Sequence, residues 1–345
     1  MKNLYIKARA PSRIGIGGGG TDLRSFFEKY EGAALNVAID LYSYTKIHKN
    51  HNGGSLIISH DWGFSKTIND LKLEFDSNKK DNVDIIKAVM LDCNLNPSDG
   101  YEILIHSMAP KNSGLAGSSA LLVSLLIVMS NLAGKSILDR KLLAERAINI
   151  ERNILKRAGG FQDQYACVFG GFNFMEFKKN EQRVYPLRIQ EDLISELHSA
   201  MLLFETPAKR EISAAEIEKT KEKDITQEGE SVEHLKKIKE YAYKMKSALI
   251  SGDLQQLGEL VHLSWQEKNC LPNVKNPTID RLYEIALKNG AYGGKLCGAG
   301  NGGFLFVIAE LSNRKKIIDA LDKEGARLVN FNFDFEGAIT WRTTY

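Results

Sequence analysis

Three separated stretches of the chain carry residues able to do chemistry. The first, Pro110 to Leu121, reads Pro-Lys-Asn-Ser-Gly-Leu-Ala-Gly-Ser-Ser-Ala-Leu, a loop of small residues running into an apolar helix. Gly114, Ala116 and Gly117 leave backbone N–H groups unshielded. A helix starting near Ser118 adds its unpaired first-turn donors and the positive end of its dipole, so a phosphate is favoured there. Ser118 and Ser119 stand where a hydroxyl either caps the helix or reaches a phosphate oxygen or a phosphate-bound Mg²⁺. Lys111 adds a nearby positive charge, with Ser113 and Leu115 completing the loop. A plain proline-glycine turn with a serine N-cap stays open on this stretch alone. The spacing is not G-x-x-x-x-G-K-[ST], so an ordinary Walker A loop is excluded.

The second stretch holds two carboxylates. Asp139 to Leu155 reads as a helix, and steps of about 100° bring Ala144, Ile148, Glu151 and Leu155 into one sector, with an acid inside an apolar stripe. Glutamate is rarely buried alone, so Glu151 has either a basic partner on a neighbouring element or a metal or catalytic role. Gly159-Gly160-Phe161-Gln162-Asp163-Gln164-Tyr165 then breaks the helix. Asp163 is there either the N-cap of a short helix through Val168 or a reactive acid.

The third stretch, Arg13-Ile-Gly-Ile-Gly-Gly-Gly-Gly-Thr-Asp22, imitates a dinucleotide fingerprint through Gly15, Gly17 and Gly20, with Asp40 further on. The imitation fails on context. The helix that follows, Leu23 to Tyr30, has only about two turns, and Pro11 does not suit the central strand of a parallel sheet. A second copy at Gly298, Gly300 and Gly303 precedes a strand instead of opening a helix.

The elements that must position these residues are read from periodicity. Leu4 to Ala10 alternates as a half-buried strand until Pro11 interrupts it. Strands are expected at 33–39, 44–49 and 55–59, the last two joined by the turn Asn52-Gly53-Gly54. A polar loop (76–81), a helix (82–93) and a strand (101–106) lead to the phosphate loop. Ser118 to Leu132 is apolar nearly all round, as a helix buried between layers would be. Strands at 171–177 and 182–187 follow, and a composition shift after residue 188 divides the chain into domains 1–188 and 189–345. The second domain should contain a strand at 199–205 and helices across 209–246 whose mixed charges read as solvated faces. Helices at 254–268 and 278–289, a glycine-rich turn at 293–303, a strand at 304–309, a helix at 313–323 and strands at 327–334 and 338–343 complete it.

Composition limits the function classes. With 345 residues, 43% hydrophobic and 26% charged, the chain has the make-up of an ordinary two-domain globular protein. A net charge of +3 gives no support for a nucleic-acid or membrane partner. The richest apolar run, Ala120 to Met129, is too short to span a bilayer, and the first residues contain no apolar h-region. Cys93, Cys167, Cys270 and Cys297 lie far apart without zinc spacing, so reduced thiols in a cytoplasm are expected.

Pro110 to Ala120 resembles P-x-x-x-G-L-[GA]-S-S-A, the second motif of the galactokinase, homoserine kinase, mevalonate kinase and phosphomevalonate kinase (GHMP) superfamily. Pro11 to Asp22 and Lys295 to Gly303 resemble its first and third motifs. The resemblance covers almost the whole chain and implies a two-domain α+β fold. The N-terminal domain would contain a left-handed βαβ unit, the C-terminal one would be ferredoxin-like, and ATP would lie between them.

It also implies roles. Ser119 and Glu151 would hold Mg²⁺, Asp163 would be the catalytic aspartate and Arg13 would support it. Lys111 and Ser113 to Ser119 would bind ATP, and Gly18, Gly19, Gly20, Thr21, Asp22 and Gly300 the substrate. Galactokinases end motif one in Gly-Glu-His-Thr-Asp; losing the bulky Glu and His, as in Gly-Gly-Gly-Thr-Asp here, opens the site or changes its hydroxyl contacts, which speaks against galactose. That form, together with Gly160-Phe-Gln-Asp-Gln-Tyr165, is similar to D-glycero-D-manno-heptose 7-phosphate kinases and the related fucokinases. The implied reaction is ATP-dependent phosphorylation of the anomeric hydroxyl of a heptose 7-phosphate, a small-molecule substrate, on the way to nucleotide-activated heptose. A fucokinase, a galactokinase-like enzyme or a catalytically silent ligand-binding regulator are the other readings. Arg24, Lys209 and Arg210 are candidate holders of the distal phosphate.

Overall fold

A computed structural model describes residues 4–50, 53–74, 83–135, 139–209 and 211–344. The alternation that begins at Leu4 runs past Pro11, so that β1 spans Leu4–Gly17. Proline is tolerated because its missing N–H falls where none is needed. The strand shifts register against its neighbour between Pro11 and Ser12, and on the other side it is paired only from Leu4 to Arg9. After α1 (Arg24–Tyr30) comes β2 (Gly32–Lys49), one strand where two were expected, then β3 (Ser55–Ser59), β4 (Phe64–Ile68), α2 (Val83–Cys93) and β5 (Tyr101–Ser107). The expected polar loop at 76–81 and Asn52 of the expected turn lie outside the described residues.

The apolar segment forms α3 (Gly117–Leu132), and α4 (Arg140–Ile148) continues into a π-helical segment, Asn149–Ile154. α5 (Gln162–Phe169), β6 (Phe172–Lys178) and β7 (Glu181–Pro186) follow. Further on are α6 (Glu191–Ala200), β8 (Met201–Glu205), α7 (Ala214–Thr226), α8 (Ser231–Ser251), α9 (Leu254–Asn269) and α10 (Pro277–Lys288). The chain ends with β9 (Ala291–Leu296), β10 (Phe304–Ala309), α11 (Leu311–Asp322), β11 (Arg327–Leu328) and β12 (Ile339–Thr344). α6, β4 and β9 were not expected, and β11 is much shorter than the segment expected at 327–334.

The first sheet has the order β12-β1-β2-β5-β3-β4, with β6 on β2 and β7 on β6. β2 and β3 are not a hairpin, because β5 lies between them. Ile103 faces Ile47 on one side and Ile57 on the other, and all three are buried, so inserting β5 closes an apolar row that a hairpin would leave open. β3 and β5 run parallel, connected through β4 and α2. α3 packs across β1 and β2, and the Ser124 and Thr45 hydroxyls meet at 2.7 Å beneath it.

The second sheet is antiparallel in the order β11-β8-β10-β9. Counted along the chain this is 4-1-3-2 with helices at both crossovers, the ferredoxin-like arrangement. One core joins the two sheets, in which Ile14, Ile16, Leu35 and Val37 pack with Leu203, Phe306, Ile308 and Met245. We propose the division near residue 188, with one change that topology requires. β12 pairs with β1, so the last strand goes with the first sheet.

This shared core brings the three glycine-rich loops into contact. Gly114 has φ +79°, and a β-carbon on it would stand 2.4 Å from the Cys297 carbonyl oxygen; one on Gly298 would stand 2.6 Å from Gly114 Cα. The second and third motifs therefore touch backbone to backbone, and Phe304 N donates to Ser113 O at 3.2 Å. Gly114→Ala should cost on the order of 1–3 kcal/mol from backbone strain before any clash is counted. Denaturant unfolding that gave wild-type stability for this variant would show that the two loops are not locked together.

Candidate active site

β1 delivers Arg13 into the junction of these loops. Its backbone N–H donates to Leu115 O at 2.9 Å and its Nη1 to Gly114 O at 2.6 Å. The rest of the guanidinium turns to Asp163, with Nε and Nη2 donating to the same oxygen, Oδ1, at 2.9 and 2.7 Å. Asp163 sits in the first turn of α5, where it makes no N-cap hydrogen bond, so the capping reading falls away. Its Oδ2 is not engaged by Arg13. Burial raises the Asp163 carboxyl above the ordinary carboxylate value, with Arg13 opposing the rise and Asp22 adding to it.

Asp22 fastens the first motif to the turn before Asp163. Oδ1 accepts from Gly20 N at 3.0 Å and Oδ2 from Gln162 N at 3.1 Å, while Phe161 N donates to Asp22 O at 3.2 Å. Gly160 makes this approach possible, since a β-carbon on it would stand 1.8 Å from Asp22 Oδ2. Thr21 is turned inward. Its buried hydroxyl donates toward Gly18 O and Ala33 O at 2.8 Å and accepts from Ala33 N at 3.0 Å. These bonds shape the turn that carries Gly19 and Gly20. Gly18 likewise packs on β2, while Gly19 and Gly20 stay half-open.

Glu151 is buried, as its sector with Ala144, Ile148 and Leu155 requires, although it lies in the π-helical segment that sequence periodicity did not reveal. Such single π turns recur at functional sites. Ser119 Oγ donates to Glu151 Oε2 at 3.2 Å. Gln164, which sequence reasoning quoted without a role, donates to both Glu151 and Ser119, and its Oε1 is buried without a hydrogen-bond partner. Among the described residues no three His, Cys, Asp or Glu side chains gather. The oxygen donors here, one carboxylate and one hydroxyl, fit a hard cation such as Mg²⁺, which takes one or two carboxylates and completes its shell with water and phosphate.

The loop ahead of α3 is built to receive an anion. Its N-cap, Ala116, has φ +64° and offers no capping side chain, so the N–H groups of Gly117, Ser118 and Ser119 at the positive helix end have no partner within the helix. Ser113 and Leu115 support the loop from inside: Ser113 Oγ accepts from Leu115 N and Leu115 is core. Lys111 Nζ lies 4.4 Å from the Trp62 ring centroid. Arg157, absent from the sequence reading, donates to Ser118 Oγ at 3.3 Å, and burial lowers its pKa against the pull of Glu151. A partly desolvated guanidinium beside a positive helix end calls for an anion between them. Arg152 holds the carbonyls of Arg157, Ala158 and Gly160 and also stands 3.7 Å from Glu151 Oε2, a basic partner on the same element that balances the carboxylate charge.

The third motif closes the cleft. A β-carbon on Gly300 would meet Val274 at 3.0 Å, so Gly300, expected at the substrate, packs against the loop before α10. Nearby are three lysines that sequence reading left among solvated charges or passed over. Lys221, Lys268 and Lys295 are all buried. Arg24 and Lys209 are exposed instead, and Arg210 lies outside the described residues. The buried Cys167 and Cys297 thiols are pushed up by burial and are no nucleophiles. No helix among the described residues is long and apolar enough to cross a membrane.

Residues 83–171 match the family model of the GHMP kinases N terminal domain and residues 245–327 that of the GHMP kinases C terminal domain. D-glycero-alpha-D-manno-heptose 7-phosphate kinase of Campylobacter jejuni is 36% identical over 98% of this chain and 99% of its own. A crystal structure of a D-glycero-D-manno-heptose 1-phosphate kinase from Bacteriodes thetaiotaomicron superposes with a TM-score of 0.78 at 29% identity, covering 97% of this chain and 98% of the other. A putative sugar kinase from Campylobacter jejuni gives a TM-score of 0.76 at 34% identity, covering 98% of both chains. With two family models matched and a relative 36% identical over nearly its full length, the chain belongs to the GHMP kinases, phosphotransferases that use ATP as phosphoryl donor.

Proposed function

We propose that the chain transfers the γ-phosphoryl group of ATP to the anomeric hydroxyl of D-glycero-D-manno-heptose 7-phosphate, giving the 1,7-bisphosphate. The observation that carries the reaction type is Asp163, a half-buried carboxylate whose Oδ1 takes both bonds from Arg13, leaving Oδ2 for an incoming hydroxyl. The substrate class rests on the likeness to the heptose phosphate kinases, one of which is named for the 7-phosphate and one for the 1-phosphate.

In this reading Gly117, Ser118 and Ser119 N–H groups and Arg157 take the nucleotide phosphates. Ser119 and Glu151 hold Mg²⁺, which when bound gathers charge on the β- and γ-phosphates. Asp163 Oδ2 accepts the proton of the sugar hydroxyl as its oxygen bonds to the γ-phosphorus. The bond from that phosphorus to the bridging oxygen breaks, and its electron pair leaves with ADP. Arg13 keeps Asp163 oriented and offsets charge on the group in flight. Asp22 and the half-open Gly19 and Gly20 line the sugar side.

Asp163→Asn keeps shape but cannot accept a proton, so kcat should fall about 10²-fold or more with ATP still bound; near-normal turnover would remove Asp163 from the mechanism. Because Asp163 acts ionised and its carboxyl is raised by burial, kcat/KM should fall as pH drops through a value above the ordinary carboxylate range. A flat acid limb down to that ordinary range would contradict this. At Gly117 a β-carbon meets only Ala109 at 3.4 Å, so Gly117→Ala should fold normally yet weaken ATP binding by crowding the donors. Unchanged affinity by calorimetry would take the loop out of the nucleotide site. Glu151→Gln should raise the Mg²⁺ concentration needed for half-maximal rate, and an unaltered Mg²⁺ requirement would end that assignment.

A further inference from the structure

Three ammonium groups from three elements converge where the first and third motifs meet. Lys221, on α7, points at the first-motif turn: a β-carbon on Gly20 would stand 3.8 Å from its Nζ. Its charge is met by Glu218, both of whose oxygens lie at 3.1 Å. Lys268, on α9, donates to Gly298 O at 2.5 Å, a neutral acceptor. Lys295, on β9, makes no hydrogen bond or ion pair with any described residue, though it is buried. The acids nearby are already engaged: Asp163 by Arg13, Asp22 by two backbone N–H groups, Glu218 by Lys221, and Glu222, beside Lys221 on α7, by the Gly159 backbone.

Two buried lysines are thus left without an ion-pair partner, and a protein interior does not hold their charged forms cheaply. Burial, with repulsion among the cluster, lowers Lys268 well below the usual lysine value and Lys295 to about 8. The groups facing Lys295 are Arg13 on β1, Asp22 in the turn, Lys221 on α7, Lys268 on α9 and Cys297 beyond β9. A phosphate dianion supplies the missing charge and enough acceptor oxygens for several donors. The nucleotide loop has its own donors at the start of α3, so this cluster is free for a second phosphate. Asp22 links it to the chemistry, since one carboxylate oxygen bonds Gly20 N beside Lys221 and the other bonds Gln162 N beside Asp163.

Building on the function proposed above, we infer that Lys221, Lys268 and Lys295 form the subsite that holds the distal phosphate of the sugar substrate, and so set the preference for phosphorylated over plain sugar. The deciding experiment is steady-state kinetics of the full chain and its Lys295→Met and Lys221→Met variants with ATP, heptose 7-phosphate and unphosphorylated heptose. Each variant should raise KM for heptose 7-phosphate by about tenfold or more, the scale of a charge-assisted hydrogen bond, and collapse the preference ratio while KM for ATP stays within about twofold. Wild-type affinity for heptose 7-phosphate should weaken as pH rises through about 8, and Lys295→Met should lose that limb. Methionine relieves a buried lysine that has no ion-pair partner, so thermal melting of ligand-free Lys295→Met should be no lower than wild type.

A raised KM for ATP instead, or kcat lost equally on both sugars, would overturn the subsite by giving the lysines to the nucleotide or the reacting centre. An unchanged preference ratio would overturn it too. If wild type turns over no heptose phosphate, the proposed substrate falls and the subsite is judged by calorimetry with inorganic phosphate. Binding lost in Lys295→Met upholds it, and binding retained refutes it.

Discussion

One guanidinium organises the cleft. Arg13 reaches Gly114 O with Nη1 and Asp163 Oδ1 with Nε and Nη2, so a single rigid plane sets the distance between phosphate loop and acid. Arginine suits this role because its fork of donors cannot be deprotonated or turned independently. The phosphate loop is also held from its other side by the third motif, backbone to backbone, where Gly114 lies on Gly298. Arg13 is buried and its partner half-buried, and removing Asp163 would leave the guanidinium as an uncompensated charge inside the protein. Reaction geometry and local stability therefore depend on the same contact.

The cleft is charged in a way that only its ligands complete. Arg157 stands at the positive end of α3, and Lys268 and Lys295 stand together without a salt-bridge partner. These arrangements cost stability in the empty protein and become favourable when anions arrive, which is how a site stores selectivity for phosphate at both ends of a reaction. Asp163 is the counterpart: burial raises its carboxyl, and Arg13 checks the rise. Its proton affinity is therefore set by the same contact that aims it.

The sequence made the loops legible because their function constrains residue type directly. Small residues before an apolar helix, an acid in an apolar stripe and an acid after a glycine turn each break a local rule, and local rules are what a sequence displays. Glu151 could be read as buried, yet its π turn could not, since one extra residue in a turn leaves the apolar sector almost unchanged. The join of β2 with β5 in place of β3 was hidden because pairing is decided by tertiary register, where Ile103 fits between Ile47 and Ile57. Pro11 misled for a related reason, since its harm depends on which side of β1 is paired. Lys221 was hidden most thoroughly. It sits in a helix rich in both charge signs, where the one mark of the lysine that turns inward is its i+4 spacing between Ile217 and Ile225. Lys295 stood just ahead of a motif whose glycines drew the reading.

The central claim, that this cleft moves a phosphoryl group onto the anomeric oxygen of a sugar already phosphorylated at its far end, is tested most directly by ³¹P NMR of the product. With ATP, Mg²⁺ and heptose 7-phosphate, the account predicts one new sugar phosphate signal coupled to the anomeric proton, appearing in step with ADP, while the 7-phosphate signal persists. A new signal coupled to any other sugar proton, or ADP without a new sugar phosphate, would contradict it.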